Sequence, residues 1–250
     1  MKLIRYKSGS LVKYGIVSEG IVKEIVGDIF SDFNESGVTH PIGEIKILPP
    51  TEPTKIVAVG LNYKEHAKEL NMEMPIEPLI LLKPISSIIA SGENIVYPEM
   101  SCQVDYEGEL GVIIKKKAKN VEKIFAKDYI LGYTCVNDVT ARDLQRRDVQ
   151  FTRAKSFDTF CPFGPYIQTE LDPLSANLRT YVNGELRQNA NTSDMIFDVY
   201  ALVCFISNIM TLEKGDIITT GTPKGTAHLN RGDEVIVEID NVGRLVNKIY

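Results

Sequence analysis

A mixed, mostly β architecture is what this 250-residue chain predicts. Strand-like segments outnumber helical ones, and the helical ones fall at irregular intervals. No regular β-α-β-α alternation is present, which argues against a parallel barrel or a doubly wound sheet. Hydrophobic residues make up 44% of the chain, enough for one large domain with a real core and a small appendage.

Residues 1 to about 48 alternate apolar and polar side chains, as in "KLIRYK" and "GIVKEIVGD", and glycines punctuate them. This pattern predicts short strands joined by tight turns. The proline-rich "LPPTEPTK" (48–55) breaks any regular element, so the predicted division is a small β domain over 1–50 and a larger domain over 51–250. "KIVAVG" reads as a strand, and "LNYKEHAKELNM" (61–72) as a short helix with Asn62 as its N-cap. "PLILLKP" is a strand stopped by Pro84, "NVEKIFAKD" a short helix and "YILGYTCVND" a strand. In "VTARDLQRRDVQ" (139–150) Thr140 and Asp143 have the spacing of a helix capping box. Asn183-Gly184 inside "LRTYVNGELRQ" suits a type I′ hairpin turn. "SDMIFDVYALVCFISNIM" (193–210) predicts the one long helix, largely buried, and "GDIITTGTP" and "GDEVIVEID" predict the closing strands.

Composition excludes several classes of function. The net charge is −5, and "KKKAK" at 115–119 is the only cationic run, so nucleic acid is not an expected partner. No apolar run approaches the ~18–20 residues that span a bilayer, and the N-terminus lacks the apolar core of a signal peptide. Cys102, Cys135, Cys161 and Cys204 are widely spaced, with no C-x-x-C. They predict reduced thiols in a soluble, cytoplasmic protein.

The chemistry concentrates around "VDYEGELGVII" (104–114). In an extended chain Asp105, Glu107 and Glu109 share one face, roughly 6–7 Å apart along the strand, while Tyr106, Leu110, Val112 and Ile114 face a core. Like charges this close need water, salt or a cation between them. The alternation therefore reads either as a solvated face or as part of a hard-cation site, because Mg²⁺, Mn²⁺ and Ca²⁺ take carboxylate oxygens. Asp138, which ends the strand "YILGYTCVN", is the best third ligand; alone it reads equally well as a turn or capping residue. His66 and Glu69, three apart in "HAKE", share a helix face, and a carboxylate beside an imidazole makes it a better base. Only His40, His66 and His228 are available, so His66 is the main candidate. Lys83 and Lys155 can stabilise an oxyanion or hold a substrate carboxylate, and "TTGTPKGT" forms a tight loop that is not a P-loop.

Together "GLNYKEHAKE", "LLKP", "VDYEGELGVII", "NDVTARDLQRRDVQFTRAKSFDTFCPFGP", "YVNGELRQ" and "TTGTPKGT" resemble, in order and spacing, the fumarylacetoacetate hydrolase family. The resemblance runs from about Lys55 to the C-terminus. It implies a β-sandwich roll with a small N-terminal β domain, and a homodimer. By resemblance Glu107, Glu109 and Asp138 are Mg²⁺ or Mn²⁺ ligands, with Asp105 a neighbour. His66 and Glu69 are a water-activating pair on a lid segment, and Lys155 stabilises negative charge. Lys83, Arg142, Gln145 and Thr222 match substrate-contacting positions. Phe151 and Ser156 stand where the family often has tryptophan and glycine.

The resemblance implies a 2-oxo acid substrate and a stabilised enolate. C–C hydrolysis of an acylpyruvate ranks first by a small margin. Isomerisation or decarboxylation of a 2-hydroxyhepta-2,4-diene-1,7-dioate, or decarboxylation of oxaloacetate, ranks next. Dehydration of a 2-keto-3-deoxy sugar acid and a non-catalytic metal-binding domain complete the alternatives.

Overall fold

The computed structural model describes residues 1–250 and is mostly β. One large sheet runs in the order Phe33–Pro41, Ile21–Gly27, Leu11–Ser18, Lys2–Ser8, Cys161–Gln168, Ile130–Asn137, Gly108–Ile114, Ile217–Thr219, Ile56–Val59, Ile80–Lys83. A second sheet runs Glu185–Asn191, Asn177–Val182, Glu234–Ile239, Gly243–Ile249, Asn94–Ile95. The first strand, Lys2–Ser8, pairs antiparallel with Cys161–Gln168, with Lys2 opposite Gln168. The N-terminal strands are thus hydrogen-bonded into the same sheet as the rest of the chain.

Every residue of Gly108–Ile114 is buried, because both faces of the large sheet are covered at its centre. Leu110, Val112 and Ile114 pack on one side with Leu178 and Val237 of the second sheet. The helix α4 (Val199–Ile209) adds Leu202, Val203 and Ile206 to that layer. Ile113 faces the opposite side, with Ile56, Ile217 and Phe163. Asn183 and Gly184 both have positive φ, as a type I′ turn requires, and the hairpin forms there.

Local expectations fail where tertiary contacts take over. The acidic stretch is not one strand: Val104–Asp105 pairs with Thr140–Ala141, the ladder breaks at Tyr106 and Glu107, and a new strand begins at Gly108. The first helix, α1, is only Lys64–Glu69 and has no side-chain cap. Asn62 instead donates to the carbonyls of Phe197 and Thr220 and accepts from the Phe197 N–H, joining three distant segments. Thr140 does not cap a helix either, since its hydroxyl donates to the Asp138 carbonyl. The Asp143 carboxylate accepts from the Ser101 hydroxyl and the Cys102 N–H. The segment 139–150 yields α2 (Arg142–Arg147), followed by a separate short α3 (Thr152–Lys155). Residues 123–129 form 3-10 turns, and the long helix starts at Val199, with Asp198 as its N-cap. All four cysteines are free, and no helix is long and apolar enough to cross a membrane.

Candidate active site

Strand register assembles the acidic centre. Gly108 lies opposite Asn137 in the antiparallel ladder, so the preceding Glu107 meets the following Asp138. Two bonds continue the pairing: the Asp138 N–H donates to the Glu107 carbonyl at 2.8 Å, and the Glu107 N–H to the Asn137 side-chain oxygen at 3.0 Å. Gly108 must be glycine, because a Cβ there would come within 2.1 Å of the Thr180 hydroxyl. One carboxylate oxygen each from Glu107, Glu109 and Asp138 then lies within 4.8 Å of the others, and all three side chains are buried.

Three cations surround this cluster. The Lys155 ammonium donates to Glu107 and Asp138 at 2.6 Å each. Lys83 donates to the other Asp138 oxygen. Arg142 donates through Nε to Asp105 at 2.8 Å, through Nη2 to Glu107 and through Nη1 to the Gln145 side chain. Burial alone would raise the Glu107 carboxyl, but Lys155 and Arg142 outweigh it and hold it at about 2. Burial likewise opposes charge on Lys155, yet Asp138, Glu107 and Glu109 keep its pKa above the usual lysine range.

Glu109 is left over. Four carboxylates (Asp105, Glu107, Glu109, Asp138) face three cations (Lys83, Arg142, Lys155), and Glu109 forms no salt bridge. Its one donor is the Gly221 N–H, at 2.8 Å. Burial, then Asp138 and Glu107, push its carboxyl well above the usual range. A buried carboxylate without a counter-charge among all-oxygen donors fits a hard divalent cation. Glu107, Glu109 and Asp138 are the residues that could hold it.

This electrostatic arrangement predicts how pH acts on metal binding. The Glu109 pKa is raised in the folded state, so the metal-free protein gains stability at low pH and loses it as pH rises through the raised pKa. A divalent ion displaces that proton. The melting-temperature increment produced by Mn²⁺ should therefore grow as pH rises, with release of up to about one proton. Calorimetry in buffers of different ionisation enthalpy measures the release, and a pH-independent affinity would contradict it.

The cluster opens on a cavity of about 280 Å³. Its polar wall carries His66, Glu107, Glu109, Arg142, Gln145, Arg146, Lys155 and Thr222. Val59, Leu61, Leu70, Met72, Leu79, Leu81 and Phe151 form the apolar wall. The Nδ1 of the buried His66 lies 2.8 Å from Glu69. A carboxylate can only accept, so Nδ1 carries the hydrogen and Nε2 of the neutral ring keeps the lone pair. Glu69 stands behind His66, outside the cavity wall. Asp138 is buried beneath the cavity floor. Lys83, expected in the substrate pocket, lies behind Asp138 with its side chain fully buried. Thr222 reaches the wall, but its hydroxyl already donates to the Gly108 carbonyl and accepts from Gln188.

Arg146 was missed in the sequence. It lies four residues after Arg142 on α2, hence on the same helix face, and that spacing was the available signal. It lines the cavity and bonds only the Gln103 side-chain oxygen, at 3.0 Å. Gln188 and Tyr106, which orient the loop around Thr222, left no local signal.

A β-rich fold in which His66, Glu107 and Glu109 line one cavity, with Glu69 behind the imidazole and Asp138 beneath the floor, has the makings of an enzyme site with an acidic triad able to hold a metal. The chain belongs to the fumarylacetoacetate hydrolase family: residues 55–250 match the family model described as "Fumarylacetoacetate (FAA) hydrolase C-terminal". Residues 1–50 match one described as "Rv2993c-like, N-terminal". The chain is 41% identical over 222 residues to the oxaloacetate tautomerase FAHD2B, mitochondrial, of Bos taurus, covering 84% of this chain and 71% of the relative. The crystal structure of 2-hydroxyhepta-2,4-diene-1,7-dioate isomerase from Mycobacterium marinum is 41% identical, with a TM-score of 0.93 over 100% of this chain and 98% of that one. That of maleylpyruvate hydrolase from Sphingobium sp. SYK-6, in complex with manganese (II) ion and pyruvate, is 28% identical, with a TM-score of 0.82 over 100% and 98%.

Proposed function

We propose that this protein is a Mg²⁺- or Mn²⁺-dependent enzyme that moves a proton along a 2-oxo or 2-hydroxy-enoic acid. Keto–enol tautomerisation or double-bond isomerisation is the principal reaction. The observation that carries this reading is the cavity that His66 shares with Glu107 and Glu109, with Asp138 completing the triad beneath its floor. A divalent ion held by Glu107, Glu109 and Asp138 would supply Lewis-acid polarisation of the 2-oxo carbonyl, the property that acidifies the neighbouring C–H. His66 accepts that proton at Nε2 while Glu69 stabilises the imidazolium, then returns it to oxygen or to a carbon further along. The Lys155 ammonium lies beside the triad and offsets negative charge developing on the substrate oxygen. The apolar wall from Val59 to Phe151 limits water around the reacting carbons.

Two relatives that are each 41% identical to the chain carry a tautomerase and an isomerase name, which moves proton transfer ahead of the C–C hydrolysis ranked first from sequence. Hydrolysis of an acylpyruvate is the second reading, supported by the His66–Glu69 pair, which can equally deprotonate water. The test compares kcat/KM for enol-to-keto conversion of oxaloacetate with that for cleavage of acetylpyruvate, with Mg²⁺ and with Mn²⁺. Faster cleavage than tautomerisation would reverse the order.

We further propose a cytoplasmic homodimer. Ile80–Lys83 is an edge strand of the large sheet, and Leu79, Leu82 and Val149 around it are exposed. Such an edge needs covering. Light scattering should give about twice the 27.9 kDa chain mass, and a monomer at micromolar concentration would count against it.

A further inference from the structure

The loop after the last central strand is tied to both halves of the site through one residue. Gly225 has φ +96°, and a Cβ there would come within 2.4 Å of the Arg187 carbonyl, so only glycine brings the backbone this close. Its N–H donates to both oxygens of Glu69, at 3.2 and 3.3 Å. Its carbonyl accepts from the Tyr106 hydroxyl at 2.7 Å. Tyr106 is buried and sits in the chain between Asp105 and Glu107. Glu69 in turn faces Nδ1 of His66 at 2.8 Å. A path therefore runs from the segment bearing Glu107 and Glu109 through a hydroxyl, the two peptide units that meet at Gly225 and a carboxylate to the imidazole. A second strap, Lys224 to Glu65 at 3.5 Å, is solvent-exposed and adds little.

We propose that Tyr106 is a positioning residue for the base: it fixes the Gly225 backbone at its carbonyl, and the N–H of the same residue orients Glu69 and so holds His66 in its Nδ1–H form. The proposal rests on reading His66 as the base. It goes beyond that reading by coupling the base mechanically to the segment that bears Glu107 and Glu109, so that displacing that segment also misorients the imidazole. A helix of six residues, α1, cannot by itself hold a catalytic side chain rigidly. The bond from Gly225 supplies a fixed point from the far side of the site.

Nitrogen-15 NMR of histidine-labelled protein tests this, with only three rings to assign. At a pH where the ring is neutral, His66 of the unmutated protein should show the Nδ1–H tautomer. An Nε2–H ring would overturn the proposal whatever any variant does. In Tyr106→Phe the His66 signals should move toward the mixed tautomers of a free imidazole, as in the Glu69→Gln control. kcat should fall about tenfold with KM within about twofold. A Tyr106→Phe protein with the His66 spectrum and kcat of the wild type would also overturn it. Because the spectra need no turnover, a chain inactive on every substrate tried would defeat the reading of the reaction while this proposal is still decided.

Discussion

Glu109→Gln will abolish metal-dependent turnover and, in metal-free buffer, raise the melting temperature. Both effects follow from its isolation. The amide keeps the shape of the carboxylate and the bond from the Gly221 N–H at 2.8 Å, but it removes a buried charge that has no cation of its own. Lewis-acid stabilisation is worth several kcal/mol, so a loss on the order of 10³ or more in kcat/KM is expected. Relief of the uncompensated carboxylate should add about 2–4 °C to Tm for each kcal/mol regained in a chain of this size. Glu107→Gln should lose the same activity and move stability the other way, because Lys155 and Arg142 both depend on that carboxylate. Stranding buried charges costs about 3–5 kcal/mol. Asp105→Ala should lower turnover less than either while leaving metal binding in place. Scanning calorimetry with chelator, alongside assays with added metal, measures all four proteins. Full activity of Glu109→Gln after chelation would refute the metal reading.

His66→Ala will separate the reactions that need a base from those that need only an electron sink. Removing one general base typically costs on the order of 10²–10⁴ in rate. Tautomerisation, isomerisation and acylpyruvate cleavage should all fall by about that factor. Loss of CO₂ from oxaloacetate, which requires no proton acceptor, should be retained to a much greater extent. Glu69→Gln should follow the same pattern less severely, since the ring keeps its place and loses its charged partner. The decisive quantity is the ratio of kcat/KM values for tautomerisation and decarboxylation. If both fall in equal proportion in His66→Ala, the residue organises the cavity as a whole and is not a dedicated base.

Much of the candidate site was legible because two short-range regularities carry it. Period-two spacing placed Glu107 and Glu109 together, and the i,i+3 helix rule placed His66 beside Glu69. Asp138 was legible as the end of an apolar strand, although its opposition to Glu107 depends on a register no local pattern reveals. Misreadings occurred where a residue with a strong local habit is used across the fold. Asn62 has the composition of a helix cap, but its amide joins segments 135 and 158 residues away. Thr140 and Asp143 have capping-box spacing, yet one turns back on Asp138 and the other holds the chain at Ser101. Lys83 is a separate matter: a pocket residue by resemblance, its ammonium pairs with the Asp138 carboxylate, a partner that no local pattern announces. Asn62, Asp143 and Lys83 are each held by a hydrogen bond or ion pair to a segment distant in sequence, and sequence spacing contains no record of those partners.

The pairing of Lys2 with Gln168 also bears on how the chain is made. The first four strands form a meander whose Lys2–Ser8 edge is covered only in part by Lys46–Ile47, and the strand that covers the rest, Cys161–Gln168, is translated long after it. Loop closure over such a separation is slow. During synthesis that edge is open to other nascent chains, so heterologous production should yield more soluble material when translation is slow or a holdase chaperone is abundant. A deletion that removes residues 1–50 would leave Cys161–Gln168 without its neighbour and transfer the same exposure to the finished molecule.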